Sequence, residues 1–250
     1  MIEKGKNIYF ASDFHLNSFA DKSNPHDREK KIVRWLSSII DDCAELYLLG
    51  DIFDFWFEYK HVVPKGGVRL LGKLAEFGDR GIPIHIFAGN HDVWMFGYFS
   101  DEFDAVIHTK PIERVWNGKR FMIGHGDGLG PGDHGYKLIK QVFTNKLAQR
   151  LFAFLHPYIG VTLATFFSKT SRESTGHKDQ IFLGDDEFLI QYIKSVQKRE
   201  HFDYFIFGHR HLVIDEKVAG SRYINLGEWF SACNYAKFDG TDLTLQAFES

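Results

Sequence analysis

The sequence predicts an α/β fold, in which short buried strands alternate with amphipathic helices. Continuous apolar runs such as YFIF at 204–207 are typical of strands that are covered on both faces. The segments between several of these runs carry apolar residues at helical spacing. This alternation favours sheets with helices on their faces, and ligands of such folds gather beyond the carboxyl ends of the strands.

Five apolar runs end in the same way, with glycine or polar residues directly after the strand. In chain order they are IYFASDFH (8–15), ELYLLGDIFD (45–54), IHIFAGNHD (84–92), RFMIGHGD (120–127) and YFIFGHRH (204–211). A single ending of this kind has ordinary explanations, such as a turn cap or a core histidine bonded to backbone. Five such endings predict that the polar side chains converge where the carboxyl ends of the strands meet.

Two helices are predicted between the first three strands. The segment 27–42 carries one apolar stripe at i, i+3, i+4, i+7 and i+8, formed by Ile32, Trp35, Leu36, Ile39 and Ile40. The segment 66–81 carries a second stripe, formed by Val68, Leu71, Leu74 and Phe77, and it ends near two glycines. Each helix is expected to cover a sheet with its stripe.

Composition limits the classes of function. The chain has 250 residues, of which 44% are hydrophobic, enough for one large domain spanning 1–250. Its net charge of −3 argues against a general polyanion binder. No apolar run is long enough to span a membrane, and the N-terminus lacks the apolar stretch of a signal peptide. Cys43 and Cys233 are expected to be reduced thiols of a cytoplasmic protein.

The polar residues at the strand ends are those that bind divalent metals. Pooled, they are Asp13, His15, Asp51, Asn90, His125, His209 and His211. Carboxylates, imidazoles and an amide, without cysteine, suit Mn²⁺, Fe²⁺ or Zn²⁺. Seven ligands suit two ions that share one carboxylate. Such a pair of ions activates a water molecule to attack the phosphorus of a phosphoester. His209 and His211 point to one side of an extended chain. Arg210, between them, is expected to face solvent or a substrate phosphate.

The motifs DFH, GDIFD, GNHD, GHGD and GHRH occur in the order and spacing of the calcineurin-like metallophosphoesterases, which the chain resembles from residue 8 to about 230. The resemblance implies a two-sheet α/β sandwich flanked by helices. It implies that one ion is held by Asp13, His15, Asp51 and His211. The second ion would be held by Asp51, Asn90, His125 and His209, with Asp51 shared. His91 would stabilise a phosphoryl oxygen or protonate the leaving group, and Asp92 would orient His91.

An insertion follows the fourth strand, because the fifth strand end comes after a gap of 84 residues instead of 35 to 39. We take it as residues 130–178, part of the same domain, and predict two helices broken around His156–Pro157. Residues 137–178 contain seven Lys or Arg and one acid. Two interpretations stay open: a helical hairpin with solvated cations, or a helical lid that shelters acyl chains and lies on an anionic membrane surface.

The insertion also resembles that of the UDP-2,3-diacylglucosamine diphosphatases, as do the stretches GDIFDFWF and GDGLGPGDHGYKLIKQVF. This resemblance implies cleavage of the substrate's pyrophosphate to UMP and 2,3-diacylglucosamine 1-phosphate in lipid A biosynthesis. It also implies Mn²⁺ as the usual metal and a peripheral position on the cytoplasmic face of the inner membrane. The implied substrate contacts are Asn90, His91, Asp133, Tyr136, Ser171 and Lys178. One departure is His91, since many of these enzymes carry arginine there.

Three other functions are conceivable for a chain with these motifs. The main alternative is a broader metal-dependent phosphodiesterase or nucleotide pyrophosphatase for a soluble substrate, for which an apolar insertion is hard to justify. A nuclease would need a basic groove interleaved with aromatic residues, so no nucleic acid partner is expected. A non-catalytic scaffold on this fold would be expected to have lost ligands, and none of the seven is missing. No obligate protein partner is predicted.

Overall fold

The computed structural model describes residues 2–17, 25–132, 134–164, 166 and 181–249. Its eleven strands in these residues form two sheets, with the strand orders β11-β10-β1-β2-β3-β4 and β5-β6-β7-β9-β8. Helices flank the sheets, so the two-sheet α/β sandwich that the sequence motifs implied is confirmed.

The first sheet has a parallel centre and an antiparallel margin. Its strands are β1 (Asn7–Ala11), β2 (Cys43–Leu48), β3 (Ile84–Phe87), β4 (Val106–His108), β10 (Asn234–Phe238) and β11 (Leu243–Ala247). Strands β1 to β4 run parallel, whereas β10 pairs antiparallel with β1 and β11 antiparallel with β10. The connections contain α1 (Pro25–Ile39), α2 (Val68–Asp79) and α3 (Tyr98–Phe103).

The second sheet is built in a similar way. Its strands are β5 (Ile112–Trp116), β6 (Lys119–Ile123), β7 (Tyr204–Phe207), β8 (Val213–Val218) and β9 (Ser221–Leu226). The three central strands β6, β7 and β9 are parallel, and β5 and β8 are antiparallel edges. The carboxyl ends of the central strands in both sheets are therefore available to form one site.

The core has a layer between the sheets and a layer under the helices. Between the sheets lie buried side chains of both, including Phe10, Tyr47, Phe87, Phe121, Ile123 and Ile206. The predicted stripe of α1 is buried in the layer outside the first sheet, as are Leu74 and Phe77 of α2. Val68 of the predicted α2 stripe is instead 72% exposed, at the first position of that helix.

The insertion is helical, but its first part is divided into two helices where one was predicted. Its described helices are α4 (His134–Thr144), α5 (Lys146–Ala153) and α6 (157–164). The side chain of Asn145 accepts hydrogen bonds from the N–H groups of Leu147 and Ala148 at 2.9 and 3.1 Å, and this N-cap starts α5 afresh. The predicted break at His156–Pro157 is confirmed, with proline in the first position of α6. After residue 180 the described chain continues into α7 (Phe188–Gln197).

Candidate active site

Four of the predicted ligands meet beyond β1, β2 and β7. In Asp13, His15, Asp51 and His211, one donor atom of each lies within 4.8 Å of the others. His211 Nε2 is 3.4 Å from Asp13 Oδ1 and 3.0 Å from His15 Nε2. His15 Nε2 is also 3.7 Å from Asp51 Oδ2. This group is the set that the motifs implied for one ion.

The other predicted ligands lie on the second side of Asp51. His125 Nε2 is 3.5 Å from Asp51 Oδ2 and 3.1 Å from Asn90 Oδ1. The same Asn90 oxygen is 2.9 Å from His209 Nδ1. The structure therefore brings all seven predicted ligands together, and Asp51 contacts both groups.

Glycines before the ligands allow the strand ends to approach one another. A β-carbon at Gly50 would lie 2.6 Å from Nδ1 of the His125 ring, and one at Gly208 would lie 2.5 Å from Asp13 Oδ2. Any larger residue would displace a ligand of the neighbouring strand. Gly50 and Gly208 are therefore required for the close packing of the ligands.

Backbone strain is concentrated in the same loops. Five of the ligands have left-handed backbone, with φ between 43° and 70°: Asp13, His15, Asp51, His209 and His211. Residues with a β-carbon disfavour this region, at a cost of about 1–3 kcal/mol each. Hydrogen bonds from Asp13 N to the Gly50 carbonyl and from His15 N to the Asp51 carbonyl hold two of them in place. The fold thus maintains a strained arrangement that presents the ligands.

Asp92 is fully buried and binds the backbone of the two loops that carry Asp51 and Asn90. Its carboxylate accepts hydrogen bonds from the N–H groups of Gly89 at 2.8 Å and Ile52 at 2.7 Å. It also accepts from the N–H groups of Asp51 and Phe53. Both carboxylate oxygens therefore accept hydrogen bonds from main-chain N–H groups. Asp92 thus fixes the backbone of the two loops that carry Asp51 and Asn90.

Asp54 lies beside the ring of His91, the side chain that Asp92 is expected to orient. Asp54 Oδ1 lies 3.5 Å from His91 Nδ1 and 3.6 Å from His15 Nδ1. His91 Nδ1 is closer still to the Asp54 backbone carbonyl, at 3.2 Å, so Asp54 contacts the predicted catalytic histidine through its main chain and places a negative charge near both rings. The sequence contained Asp54, at the end of the GDIFD stretch. An acid three residues after a ligand, however, looks the same in sequence as an ordinary loop acid.

The electrostatics of the cluster are dominated by its buried carboxylates. Burial by itself raises the pKa of Asp51, but His125 and His91 hold that pKa well below its usual range. Burial lowers the pKa of His125, but Asp51 outweighs it and raises that pKa to about 10. Burial and then His125 lower the pKa of His209 to about 4, which keeps it neutral, the form that binds metals. The buried carboxylates therefore favour a positive charge in the space between the ligands.

The residues fit divalent metal ions. Asp13 Oδ1 is buried and has no hydrogen-bond partner among the described residues, an arrangement that is costly without a cation. The donors are imidazole nitrogens and carboxylate and amide oxygens, the set that suits Mn²⁺, Fe²⁺ and Zn²⁺. With Asp51 in the middle, two ions could be held by the seven residues together.

Of the predicted substrate contacts, Asn90 and His91 lie in this cluster. Tyr136 lies beside it, where its hydroxyl donates to Asp127 Oδ2. Lys140 Nζ binds the same oxygen at 2.5 Å, so both side chains attach α4 to the loop that carries His125. The remaining predicted contacts, Asp133, Ser171 and Lys178, lie outside the described residues.

The sequence predicts that Arg210 faces solvent or a substrate phosphate, but the structure buries it against Glu187. It is only 5% exposed, and its Nε and Nη2 donate to the two carboxylate oxygens of Glu187 at 2.9 and 2.8 Å. The flanking histidines turn toward the metal cluster, so Arg210 turns to the other side. There it is covered by the start of α7.

The insertion rests on aromatic residues next to the active-site loops. Phe55, Phe57 and Trp94 form a buried cluster, and Phe143 and Phe152 of the insertion pack against it. The indole N–H of Trp94 donates to the Phe143 carbonyl at 2.8 Å. The other side of the helices is apolar and exposed, through Leu138, Val142, Leu147, Leu151, Phe154, Tyr158 and Ile159. Among the described residues, no helix combines the length and apolar character required to cross a bilayer.

Comparison with known proteins identifies similar chains along nearly the whole sequence. A UDP-2,3-diacylglucosamine hydrolase of Porphyromonas gingivalis is 38% identical over 256 residues, which cover 97% of this chain and 97% of the relative. The UDP-2,3-diacylglucosamine hydrolase of Shigella dysenteriae is 25% identical over 222 residues, covering 86% and 90%. Among solved structures, the phosphoesterase Yfce from E. coli aligns with a TM-score of 0.49 and 13% identity, covering 97% of this chain and 93% of its own.

The family comparison agrees with the geometry of the strand ends. Residues 6–213 match the calcineurin-like phosphoesterase family, and this range includes all seven clustered ligands. The family implies divalent metals, and the cluster has the donors to hold them. The chain belongs to the calcineurin-like phosphoesterase family.

Proposed function

We propose that the protein hydrolyses the pyrophosphate bond of UDP-2,3-diacylglucosamine, releasing UMP and 2,3-diacylglucosamine 1-phosphate. The observation that carries this proposal is the 38% identity to the P. gingivalis hydrolase over 97% of both chains. The apolar insertion beside the ligand cluster supports it, because a substrate with acyl chains needs an apolar surface near the scissile bond. A soluble phosphodiester would leave that surface without a role.

We assign the seven clustered residues to two divalent ions, most simply Mn²⁺. When bound, such ions would polarise the phosphoryl oxygen and lower the pKa of the attacking water. Asp51 would be shared, since it contacts both groups of ligands. The backbone hydrogen bonds to Asp92 would keep Asp51 and Asn90 at fixed separation during the reaction.

We assign His91 to the substrate phosphate. Its Nδ1 lies 3.2 Å from the backbone carbonyl of Asp54, and its backbone N–H donates to Asp51 Oδ1 at 2.9 Å, so both ring and backbone are held by the loop of β2. Its Nε2 would then donate a hydrogen bond to a phosphoryl oxygen or a proton to the leaving group. A histidine can do both, whereas the arginine common at this position in similar enzymes can only stabilise charge.

We propose that the insertion is a lid for the acyl chains and that it rests on a membrane surface. Support comes from the exposed apolar side chains of α4 to α6 and from the excess of Lys and Arg over residues 137–178. Interfacial helices combine these two features. Tyr136, Asp133, Ser171 and Lys178 remain our candidates for contacts with the sugar and diphosphate.

The substrate assignment is tested by a Mn²⁺-dependent assay on two substrates, UDP-2,3-diacylglucosamine and UDP-glucosamine without acyl chains. We expect release of UMP from the first and at least tenfold lower kcat/KM for the second. Asp51→Ala should abolish both activities, because the contact between the two groups of ligands is lost. Equal turnover of both substrates would favour the broader pyrophosphatase instead.

The membrane assignment is tested by sedimentation with vesicles of phosphatidylethanolamine and phosphatidylglycerol. Phe154, which is 88% exposed, offers a substitution that leaves the packed side of the helices unchanged. We expect wild type to bind and Phe154→Ser to bind at least threefold more weakly. Binding that is equal for both proteins, or absent in wild type, would contradict this part of the proposal.

A further inference from the structure

The chain returns from the insertion to the sandwich through residues 181–187, which we call the return segment. Glu187, at its end, is 1% exposed and forms the bidentate ion pair with Arg210. The guanidinium also donates from Nη2 to the carbonyl of Ile181 at 3.0 Å. Arg210 is thus bound to both ends of the return segment.

The Glu187 carboxylate also binds the return segment itself. Its Oε1 accepts the backbone N–H of Leu183 at 3.1 Å in addition to Arg210 Nη2. A buried pair with a planar guanidinium fork has a defined geometry, and breaking it leaves an uncompensated buried charge. The pair therefore fixes the main chain of the return segment relative to Arg210.

Arg210 is in turn part of the loop that carries two clustered histidines. His209 N donates to Asp13 Oδ2 at 3.1 Å, and Arg210 N donates to the Gly208 carbonyl at 2.9 Å. The loop between His209 and His211 is short, so a shift of Arg210 must shift its neighbours. The return segment and the ligand loop are consequently linked through a single side chain.

The start of the insertion contacts Phe188, the residue directly after the return segment. A β-carbon at Gly130 would overlap the backbone carbonyl of Phe188, so the two backbones are in close contact. The ring of Phe188 lies 6.0 Å from that of His209. Both ends of the insertion are therefore packed beside the ligand loop, where the position of the insertion can affect substrate binding.

We infer that Arg210 and Glu187 are positioning residues, whose ion pair couples the insertion to the His209–His211 loop and so sets the preference for substrates that contact the insertion. The preference for an acylated substrate rests on the proposed function, whereas the mechanical coupling does not. Glu187 would act on the ligand loop only through Arg210.

The test uses the full-length protein and the nearly isosteric Glu187→Gln variant, which removes the charge of the pair and keeps an acceptor for Leu183 N. Hydrogen exchange of the metal-free protein is measured for peptides covering 181–191 and 208–212. We expect faster exchange in both regions. The matched control is Asp215→Asn, which removes the charge from another bidentate pair, that with Arg222 at 2.8 and 2.7 Å on β8 and β9. It should change neither region.

The second measurement is steady-state kinetics with UDP-2,3-diacylglucosamine and with bis(p-nitrophenyl) phosphate. For Glu187→Gln we expect the ratio of kcat/KM between the two substrates to fall at least fivefold, chiefly through KM for the lipid. If Glu187→Gln does not fold, the double variant Arg210→Met, Glu187→Leu removes both charges and replaces the pair by apolar packing. It should show the same fall.

The outcomes separate the two proposals. Faster exchange confined to 181–191 overturns the coupling, because Glu187 then acts only as a local cap. An unchanged substrate ratio overturns the role in preference. If wild type fails to cleave UDP-2,3-diacylglucosamine but exchange spreads to 208–212, the proposed substrate is wrong and the coupling stands.

Discussion

Gly89 lies so close to Asp51 that a β-carbon at residue 89 would overlap the carboxylate oxygen Oδ1. That same oxygen accepts the backbone N–H of His91 at 2.9 Å. The loop after β3 therefore holds the Asp51 side chain by a steric limit on one side and a hydrogen bond on the other. Because Asp51 contacts both groups of ligands, its position determines the geometry of the whole cluster.

The first prediction is that Gly89→Ala lowers activity about 10²-fold without unfolding the protein. The added methyl group would lie 2.5 Å from the Asp51 backbone nitrogen and would also overlap the Asp51 carboxylate, so both the loop and the ligand must shift. The backbone at Gly89 is not left-handed, so the effect is steric only. Metal content by mass spectrometry and kcat on bis(p-nitrophenyl) phosphate measure it.

The control is Gly72→Ala in α2, where a β-carbon meets nothing within 4 Å. Replacing a helical glycine by alanine should stabilise the protein by up to about 1 kcal/mol and leave metal content unchanged. Full metal content and normal kcat in Gly89→Ala would show that the loop can yield, contrary to the tight contact with Asp51.

The second prediction concerns Asp54, which lies between the rings of His15 and His91. Asp54→Asn keeps the shape and the carbonyl contact with His91 but loses the negative charge near both imidazoles, so kcat should fall about 10-fold. In combination with His91→Ala the two losses should be less than multiplicative, because part of the effect of Asp54 passes through His91. Kinetics of the single and double variants measure this, and fully multiplicative losses would assign the whole effect of Asp54 to His15.

The central strands that end in the ligand loops could be predicted from sequence, but the edge strands of the sheets could not. β1, β2, β3, β6 and β7 are buried at their carboxyl ends, where each has an apolar run directly before the site. β8, with Asp215, Glu216 and Lys217 in its middle, is an edge strand with an exposed face. Its hydrogen bonds come from β9, and sequence periodicity contains no information on a partner strand.

The ligands could be predicted because each directly follows a recognisable strand. Roles that depend on contacts from elsewhere in the chain could not. The side chain of Arg210 does point away from its flanking histidines, but the left-handed backbone at His209 and His211 is not the extended chain on which that prediction rested. Nor could periodicity reveal Glu187, 23 residues earlier, as the partner of Arg210. Likewise the family resemblance implied that Asp92 orients His91, and only the fold reveals that the His91 ring also lies against Asp54, with Nδ1 3.2 Å from the Asp54 carbonyl.

The third prediction is acid destabilisation by a histidine pair outside the active site. His85 Nδ1 lies 3.0 Å from His108 Nε2 beside the core between the sheets. Burial, with Arg114 adding to it, lowers the pKa of His85 to about 4, although Glu45 lies 3.7 Å away. Burial, then His85 and Arg114, lower the pKa of His108 to about 4.

Both histidines are therefore neutral in the folded protein and take up protons first in the unfolded chain. Stability contributed by the pair is complete above pH 6.5 and is lost as the pH falls toward 4, by roughly 2 kcal/mol in total after allowing for partial solvent exposure. Urea unfolding at pH 7 and pH 4.5 measures this loss. In the His85→Gln, His108→Gln variant the difference between the two pH values should shrink by that amount; an unchanged difference would contradict the assignment.

The fourth prediction concerns the contact between the insertion and the sandwich. The ring of Phe152 lies 4.8 Å from those of Phe57 and Trp94, whereas Phe154, two residues further on, is 88% exposed. Because Phe152 is half-buried, Phe152→Ala should cost about 2–3 kcal/mol of unfolding free energy, below the range for a fully buried ring. Phe154→Ala should stay within about 0.5 kcal/mol of wild type.

Denaturant unfolding of the metal-loaded protein measures both variants, and hydrogen exchange across residues 134–164 locates the change. Since the aromatic cluster lies next to the loops of Asp51 and His91, loosening it should raise KM for the acylated substrate more than for bis(p-nitrophenyl) phosphate. Equal effects of the two substitutions would mean that the insertion is not held by the cluster of Phe55, Phe57 and Trp94. In that case its attachment would rest on the polar contacts of α4 with Asp127 and on the return segment alone.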